Sequence, residues 1–282
     1  MATEPVPNRP SVPTDPASRG AAFFDLDKTL MQGSSAFQFA RAARANGLIG
    51  RRQLASDGWA NLRFRLRGAS DADSLALRER IAAGLEGTRV VDLDRLGADV
   101  LARVLPRMYP RMLAIAHEHQ DAGRPAYIVT AAAQDLADVL ARVLAFDGAL
   151  GSQISEVADG IYTGRPTGLF MYRSGKAQGI TELAEREGID LAASYAYSDS
   201  ESDLPMLECV GHPVAVNPDA ALLRIARAQG WAVVRLDRLG RRLKLVGALA
   251  GAAAAGGVAT VALARRVEGG RRGFYRVPHL VR

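Results

Sequence analysis

The sequence predicts an α/β fold: a doubly wound parallel sheet with a helical cap inserted after the first strand. Short apolar runs typical of buried strands alternate with segments of helical periodicity, which indicates a parallel sheet with helices on both faces. The block of residues 35–118, between the first two strands, is helical in pattern and too long for a simple crossover. With 48% hydrophobic and 23% charged residues, the 282-residue chain is not wholly disordered.

The individual elements follow from apolar runs and turn residues. A buried strand is predicted at residues 21–24, immediately before Asp25. The other predicted elements are strands at 126–129, 150–154, 195–197, 213–216 and 231–234, a hairpin around 159–160, and helices at 135–144 and 176–187.

Composition divides the chain further. Five prolines and few large apolar groups in residues 1–20 predict a disordered leader, because such a segment cannot bury enough surface to fold. The remaining predicted segments are a sheet-forming core at 21–34 and 119–235, the helical cap at 35–118, and a basic tail at 236–282 that contains the uncharged segment 245–264.

The positive charge is concentrated in the tail. The net charge is +6, yet from Arg235 onward there are eleven basic and two acidic residues, so the rest of the chain is mildly acidic. This distribution argues against a broad nucleic-acid-binding face. The N-terminal residues show no secretory signal pattern, and we expect a cytoplasmic catalytic domain.

Three residue types are scarce and therefore informative. Lysine occurs three times among 36 basic residues, including Lys28 and Lys176. The single cysteine, Cys209, excludes an internal disulfide and fits a reducing compartment; we expect it to be buried among apolar groups. Of the four histidines, His117 and His119 are predicted to lie at the solvated end of a helix.

Charged and hydroxyl side chains stand where the predicted strands end or a helix begins. In chain order they are Asp25, Asp27, Thr130, Lys176, Asp199 and Asp203. In open sheets of this kind, ligands bind beyond the carboxyl ends of the strands, so we expect these side chains to converge. Clustered carboxylates repel one another unless a cation neutralises them. Oxygen ligands without Cys or His favour Mg²⁺ over zinc.

These motifs resemble those of the haloacid dehalogenase superfamily of phosphatases. The residues that carry the resemblance are the run 25–30 (DLDKTL), Thr130, Lys176 and the run 199–203 (DSESD). The helical insert resembles the cap of the phosphoserine-phosphatase-like branch, subfamily IB. The resemblance covers about residues 20–235 and implies a Rossmann-like core. It also implies a Mg²⁺-dependent phosphomonoester hydrolase that acts through an aspartyl-phosphate.

The resemblance assigns the chemical steps to particular residues. Asp25 is the implied nucleophile, and Asp27 the implied general acid and then general base. Lys176 screens the charge of the reacting phosphate. Thr130 and the backbone N–H of Ala131, expected at the start of a helix, bind the phosphoryl oxygens.

The resemblance also implies a set of metal ligands. The carboxylates of Asp25 and Asp199 and the main-chain carbonyl of Asp27 bind Mg²⁺. Asp203 supports the metal site or orients Lys176. The partner is then a small phosphorylated metabolite, with no nucleic acid involved.

Residue 34 bears on the substrate. Ser34 stands where phosphoserine phosphatases have a glutamate that is thought to bind the ammonium group of the substrate. Because serine supplies no charge, phosphoserine is not favoured, and a broader class of small phosphomonoesters is expected.

Two alternative functions stay open. One is a membrane-tethered phosphatase acting on a lipid phosphate, and the other a non-enzymatic phosphate-binding regulator. The tether depends on residues 245–264, whose length suits a single bilayer span. Nine alanines and four glycines in that segment equally fit a helix packed on a protein surface. The sequence does not indicate an oligomeric state.

Overall fold

Six parallel strands form the main sheet in residues 20–47 and 71–236, the part of the chain that the computed structural model describes. The strands in chain order are β1 (Ala22–Asp25), β2 (Ala126–Ala133), β3 (Gly148–Ser152), β4 (Val157–Ala158), β5 (Ile161–Tyr162), β6 (Tyr195–Ser198), β7 (His212–Val216) and β8 (Ala232–Val234). The order across the main sheet is β3-β2-β1-β6-β7-β8, and all neighbours are parallel. Strands β4 and β5 form a separate antiparallel hairpin. The predicted fold class and hairpin are confirmed.

Helices cover the sheet and fill the inserted block. They are α1 (Ser35–Ala45), α2 (Asp71–Leu85), α3 (Val90–Asp94), α4 (Gly97–Val104), α5 (Pro110–Asp121), α6 (Gln134–Val143), α7 (Ser174–Glu187), α8 (Leu204–Glu208) and α9 (Ala220–Gln229), with 3₁₀ turns at Leu105–Arg107, Leu191–Ala193 and Glu201–Asp203. Helix α5 runs across position 118, where the sequence predicts the end of the cap. Residues 48–70 of the predicted cap lie outside the described part, and the domain boundaries stay a prediction.

The first strand shows why the sheet is covered on both faces. Successive side chains of a strand point to opposite faces. Ala22 and Phe24 accordingly belong to one apolar cluster, and Phe23 to the other. All three side chains are fully buried. An uninterrupted apolar run is therefore the expected pattern for this central strand.

The two ends of the inserted block are held together at the base of the cap. The backbone N–H of Gln32 donates to the carbonyl of Arg107 over 2.8 Å, and the N–H of Tyr109 donates to the carbonyl of Leu30, also over 2.8 Å. These bonds flank an isolated bridge between Met31 and Met108. The chain therefore leaves and rejoins the core at one place.

The β4–β5 hairpin contacts the inserted block directly. The N–H of Val90 donates to the carbonyl of Gly160, and that of Tyr162 donates to the carbonyl of Thr88, each over 2.9 Å. A cavity of about 390 Å³ lies beside this contact, lined in part by Arg89 and Asp159. The lining residues of this cavity include none of the predicted site residues.

The expectation of a solvated histidine pair is wrong for His119, which is fully buried. Its Nδ1 accepts a 2.9 Å hydrogen bond from Nε of Arg124, so in the neutral ring the proton is on Nε2. Nε2 lies 2.8 Å from the hydroxyl of Tyr197 and donates to it. Burial, helped by the guanidinium of Arg124, lowers the pKa of His119 to about 3. The histidine is thus a neutral core residue, packed against the aromatic ring of Phe24.

Cys209 is half-buried, not buried as predicted, and its thiol lies 3.1 Å from the carbonyl of Met206. Burial raises the pKa of the Cys209 thiol to about 11.

No helix within residues 20–47 and 71–236 is long and apolar enough to cross a bilayer. Residues 1–19 of the predicted leader 1–20 lie outside the described residues, as do residues 237–282 of the predicted tail 236–282, including the segment 245–264.

Candidate active site

The sheet register brings three predicted site positions to one edge. Asp25, the last residue of β1, pairs with Val129 of β2, so Thr130 is one residue beyond it. On the other side, Phe24 pairs with Tyr197 of β6, and Asp199 follows the end of β6 by one residue. Asp25 and Asp199 therefore lie at the carboxyl ends of adjacent parallel strands, where ligands bind in open α/β sheets, and Thr130 lies on β2 beside them, three residues before that strand ends.

A buried lysine joins two of the predicted carboxylates. Nζ of Lys176 donates to Oδ1 of Asp25 over 2.5 Å and to Oδ2 of Asp203 over 2.7 Å. The hydroxyl of Ser198 donates to the same Oδ2 of Asp203 over 2.7 Å. All four side chains are buried, with Lys176 only 2% exposed. Two roles are predicted for Asp203, support of the metal site and orientation of Lys176. Its hydrogen bond with Lys176 is consistent with the second role.

Glycine allows Lys176 to reach this position. A Cβ atom on Gly175 would lie 1.9 Å from the carbonyl oxygen of Phe170, so a larger residue could not fit without moving backbone. Helix α7 begins at Ser174, two residues earlier than predicted, and Lys176 therefore lies within its first turn. Burial of the Lys176 side chain is compensated by the two charge-assisted hydrogen bonds described above.

Burial and mutual repulsion shift the pKa values of the carboxylates. Burial raises the pKa of Asp25 to about 8; the Lys176 ammonium opposes this rise, and Asp203, Asp199 and Asp27 add to it. Burial lowers the pKa of Lys176, but Asp203 and Asp25 outweigh that effect and raise it overall, so Lys176 stays protonated. The site therefore has a deficit of positive charge.

The carboxylate of Asp199 faces a second lysine. Nζ of Lys28 lies 3.3 Å from Oδ2 of Asp199. Burial raises the pKa of Asp199 to about 6, although Lys28 lowers it. Sequence reasoning assigned no role to Lys28; its scarcity among arginines was the available signal.

Asp27 is held by the beginning of the inserted block. Its Oδ1 accepts a 2.7 Å hydrogen bond from the backbone N–H of Ser35, the first residue of α1. Sequence reasoning missed this contact, because the donor is a main-chain group that any residue except proline supplies. Ser34 is the N-cap residue of α1, and its side chain makes no capping hydrogen bond.

The phosphate-binding prediction is wrong in one respect. Ala131 does not open a helix: β2 continues to Ala133, and α6 begins at Gln134. The β2–β3 register is irregular between Val129 and Ala133, which lets the strand continue past the site. Thr130 itself is buried, and its Oγ1 accepts a 3.2 Å hydrogen bond from the N–H of Ala132.

The donor set fits Mg²⁺. In residues 20–47 and 71–236, no group of three or more His, Cys, Asp or Glu side chains is arranged to hold a metal ion. Mg²⁺ does not require such a group, because it usually keeps several waters and uses one or two carboxylates together with substrate phosphate. Burial raises the pKa values of Asp25 and Asp199. Their ionised forms are therefore unfavourable without a nearby positive charge, which a bound cation would supply.

The fold and the site together indicate a class of enzyme: a hydrolase with a Rossmann-like parallel sheet, in which a candidate carboxylate nucleophile lies beside a buried lysine. Residues 22–208 match the family of haloacid dehalogenase-like hydrolases. The chain belongs to this family, which confirms the resemblance stated from the motifs.

Individual relatives agree with this assignment. Phosphoserine phosphatase SerB1 of Mycobacterium tuberculosis is 38% identical over 250 residues, covering 87% of this chain and 81% of the relative. A histidinol-phosphatase of Neisseria meningitidis is 27% identical, covering 77% of this chain and 98% of the relative. A Bordetella pertussis protein of unknown function has a similar structure, with a TM-score of 0.68 and 28% identity over 77% of this chain and 99% of that protein. The predicted enzyme class, a phosphatase, is confirmed.

Proposed function

We propose that this phosphatase is a Mg²⁺-dependent phosphomonoesterase that acts on a small phosphorylated metabolite through an aspartyl-phosphate on Asp25. The observation that carries the proposal is the buried Lys176 bridging Asp25 and Asp203 at distances of 2.5 and 2.7 Å. A carboxylate can attack an anionic phosphate only when positive charge screens the approach, and Lys176 supplies part of that charge.

The first chemical step forms the phosphoenzyme. A carboxylate oxygen of Asp25 attacks phosphorus, the bond from phosphorus to the ester oxygen breaks, and Asp27 gives its proton to the departing oxygen. In the second step Asp27 takes a proton from water, the water oxygen attacks phosphorus, and inorganic phosphate leaves Asp25. The hydrogen bond from the Ser35 N–H orients Asp27 for both transfers.

The surrounding residues bind the phosphoryl group and the cation. Asp25, Asp199 and the main-chain carbonyl of Asp27 would hold Mg²⁺, which, when bound, neutralises charge on the phosphoryl oxygens. The hydroxyl of Thr130 and the N–H of Ala131, which follow the residue of β2 that pairs with Asp25, would contact the remaining phosphoryl oxygens. Asp203 orients Lys176.

The substrate class follows from the relatives and from Ser34. Two relatives are named phosphoserine phosphatase and histidinol-phosphatase. The substrate in each name is a phosphomonoester of a small amino compound. Ser34 has no charge to bind an ammonium group, so selectivity for phosphoserine is not favoured. The non-enzymatic alternative is not favoured either, because Asp25, Asp27 and Lys176 are all present.

A phosphate-release screen tests the proposal. Purified full-length protein is assayed against phosphoserine, histidinol phosphate, sugar phosphates, nucleotides and lysolipid phosphates, with Mg²⁺ and with EDTA. We expect release from at least one small phosphomonoester that stops with EDTA and returns with excess Mg²⁺. Folded protein that releases no phosphate from any of them, or releases it equally with EDTA, would contradict the proposal. Release confined to lysolipid phosphates would instead support the membrane-associated alternative.

A further inference from the structure

Two of the three lysines in this chain contact carboxylates of the candidate active site. Lys176 contacts Asp25 and Asp203, whereas Lys28 contacts Asp199. Arginine supplies 33 of the 36 basic residues, that is, all except the three lysines. A lysine ammonium is a compact point charge on a flexible stem, whereas a guanidinium forms a rigid bidentate fork. Lysine can therefore leave a carboxylate more readily when a competing cation arrives.

Lys28 has a backbone conformation that is uncommon for a residue with a side chain. Its φ is +59°, in the left-handed region that favours glycine. The loop holds this conformation, because the N–H of Lys28 donates to the carbonyl of Gly33 over 3.1 Å. The lysine side chain is 50% exposed and Asp199 only 9%. The ammonium thus reaches from solvent onto a buried carboxylate.

The charges of the site give this contact two opposite consequences. With Asp27 protonated, as the first chemical step requires, three ionised aspartates (Asp25, Asp199 and Asp203) and two protonated lysines leave a formal charge of minus one, which one divalent cation turns into plus one. Without Lys28 the loaded site is only neutral, so it attracts an incoming phosphate dianion less strongly. The same ammonium, however, repels a cation that approaches Asp199.

We propose that Lys28 weakens Mg²⁺ binding at Asp199 and strengthens binding of the phosphate dianion, so that it sets the balance between the two. The inference rests on the proposed function, since it requires both ligands to bind at this site. It extends that function by naming a phosphate-binding cation in addition to Lys176.

Calorimetric titrations without turnover test the proposal. Wild type, Lys28→Met, Lys28→Arg and Lys28→Gly are titrated with MgCl₂ alone, and then with inorganic phosphate at saturating Mg²⁺. Methionine keeps the stem length without the charge, and arginine keeps the charge. Glycine removes both charge and backbone strain. Arg186→Met is the control for a lost charge elsewhere; Arg186 lies on α7 about 15 Å along the helix from Lys176, beyond the screening length of about 10 Å at 0.1 M salt.

We expect Lys28→Met and Lys28→Gly to lower the Kd for Mg²⁺ and to raise the Kd for phosphate, each by about threefold to tenfold. Arg186→Met keeps both wild-type values, whereas Lys28→Arg keeps the Kd for phosphate and binds Mg²⁺ no more tightly than wild type. Folded Lys28→Met that binds both ligands as wild type does, or binds Mg²⁺ more weakly, overturns the inference and leaves the proposed function standing. Wild-type protein that binds neither ligand overturns both.

Discussion

The backbone N–H of Ser35 donates a 2.7 Å hydrogen bond to Oδ1 of Asp27, which ties the proposed acid–base carboxylate to the first residue of α1. Asp27 follows β1 in the core, whereas α1 begins the inserted block. The proposed general acid is therefore positioned by the element that leads into the inserted block. Because the donor is a main-chain group, its contribution can be removed without deleting a side chain.

Ser35→Pro removes that donor selectively. Proline is tolerated at the first position of a helix, and the extended conformation of Ser34, with ψ of 129°, is compatible with a following proline. We expect kcat/KM for an alkyl phosphate to fall about tenfold, the cost of one lost hydrogen bond to a charged group. An aryl phosphate, whose leaving group needs little protonation, should lose less.

Ser35→Ala is the matched control, since it removes the hydroxyl but keeps the N–H. It should retain wild-type rates on both substrates. Asp27→Asn should show the same leaving-group dependence more strongly, with a loss of at least about 10²-fold on the alkyl phosphate. Equal losses on both substrates in Ser35→Pro would mean that the hydrogen bond only stabilises the fold.

The nucleophile is tested by Asp25→Asn, which keeps the shape of the side chain and removes the attacking charge. We expect kcat to fall by at least about 10³-fold, while thermal unfolding remains cooperative. Beryllium fluoride in the presence of Mg²⁺ should bind to wild type and not to the variant. Asp159→Asn is the matched control: Asp159 lies in the exposed hairpin turn with φ of 50°, which asparagine tolerates. Normal turnover in Asp25→Asn would end the proposed mechanism.

The buried histidine predicts a pH dependence of stability. Its pKa is about 3 in the folded protein and about 6.5 in an unfolded chain. Neutral His119 therefore makes its full contribution to the free energy of unfolding above pH 6.5. That contribution is lost as the pH falls from 6.5 towards 3. Between pH 7 and pH 5 the wild type should lose about 2 kcal/mol more unfolding free energy than His119→Gln.

Glutamine is a suitable replacement at position 119, because its amide can both donate to Tyr197 and accept from Arg124. Urea unfolding of both proteins at several pH values gives the difference, and other titrating groups cancel in the comparison. Parallel pH profiles for the two proteins would show that His119 does not stay neutral in the fold.

The tail should be dispensable for catalysis. The last strand of the described residues, β8, ends at Val234. The carbonyl of Val234 accepts from the N–H of Asn217, and the N–H of Leu236 donates to Oδ1 of Asn217. A chain ending at Leu239 keeps these bonds and should retain kcat/KM on a small phosphate. A chain ending at Trp231 loses β8 and should unfold at lower denaturant. If the chain ending at Leu239 is folded but inactive, the tail has a role in catalysis.

Comparison of the full-length and truncated chains also tests the segment 245–264. If it spans a bilayer, full-length protein should remain with membranes in high salt and carbonate, and the chain ending at Leu239 should not. Release by salt alone would indicate that the flanking arginines hold the protein electrostatically, because salt screens such contacts. Full-length protein found wholly in the supernatant would exclude the anchor.

Much of the site was predictable because its residues stand at ends of elements with strong local patterns. The apolar run before Asp25 and the run before Asp199 each indicate a buried strand, and parallel strands present their carboxyl ends at one edge. The continuation of β2 through Ala131–Ala133 was not predictable, since alanine favours helix. There the pairing of Ala133 with Ser152 of β3 overrides the local preference.

The sequence by itself determined the fold class, the strand order along the chain, and the set of carboxylates and lysine that forms the site. Only the tertiary structure decided which groups meet: Lys176 with Asp25 across 151 residues, Lys28 with Asp199 across 171, and His119 with Tyr197 across 78. Secondary structure follows from apolar periodicity within a few residues. Contacts between distant residues depend on sheet register and packing, which no local pattern encodes.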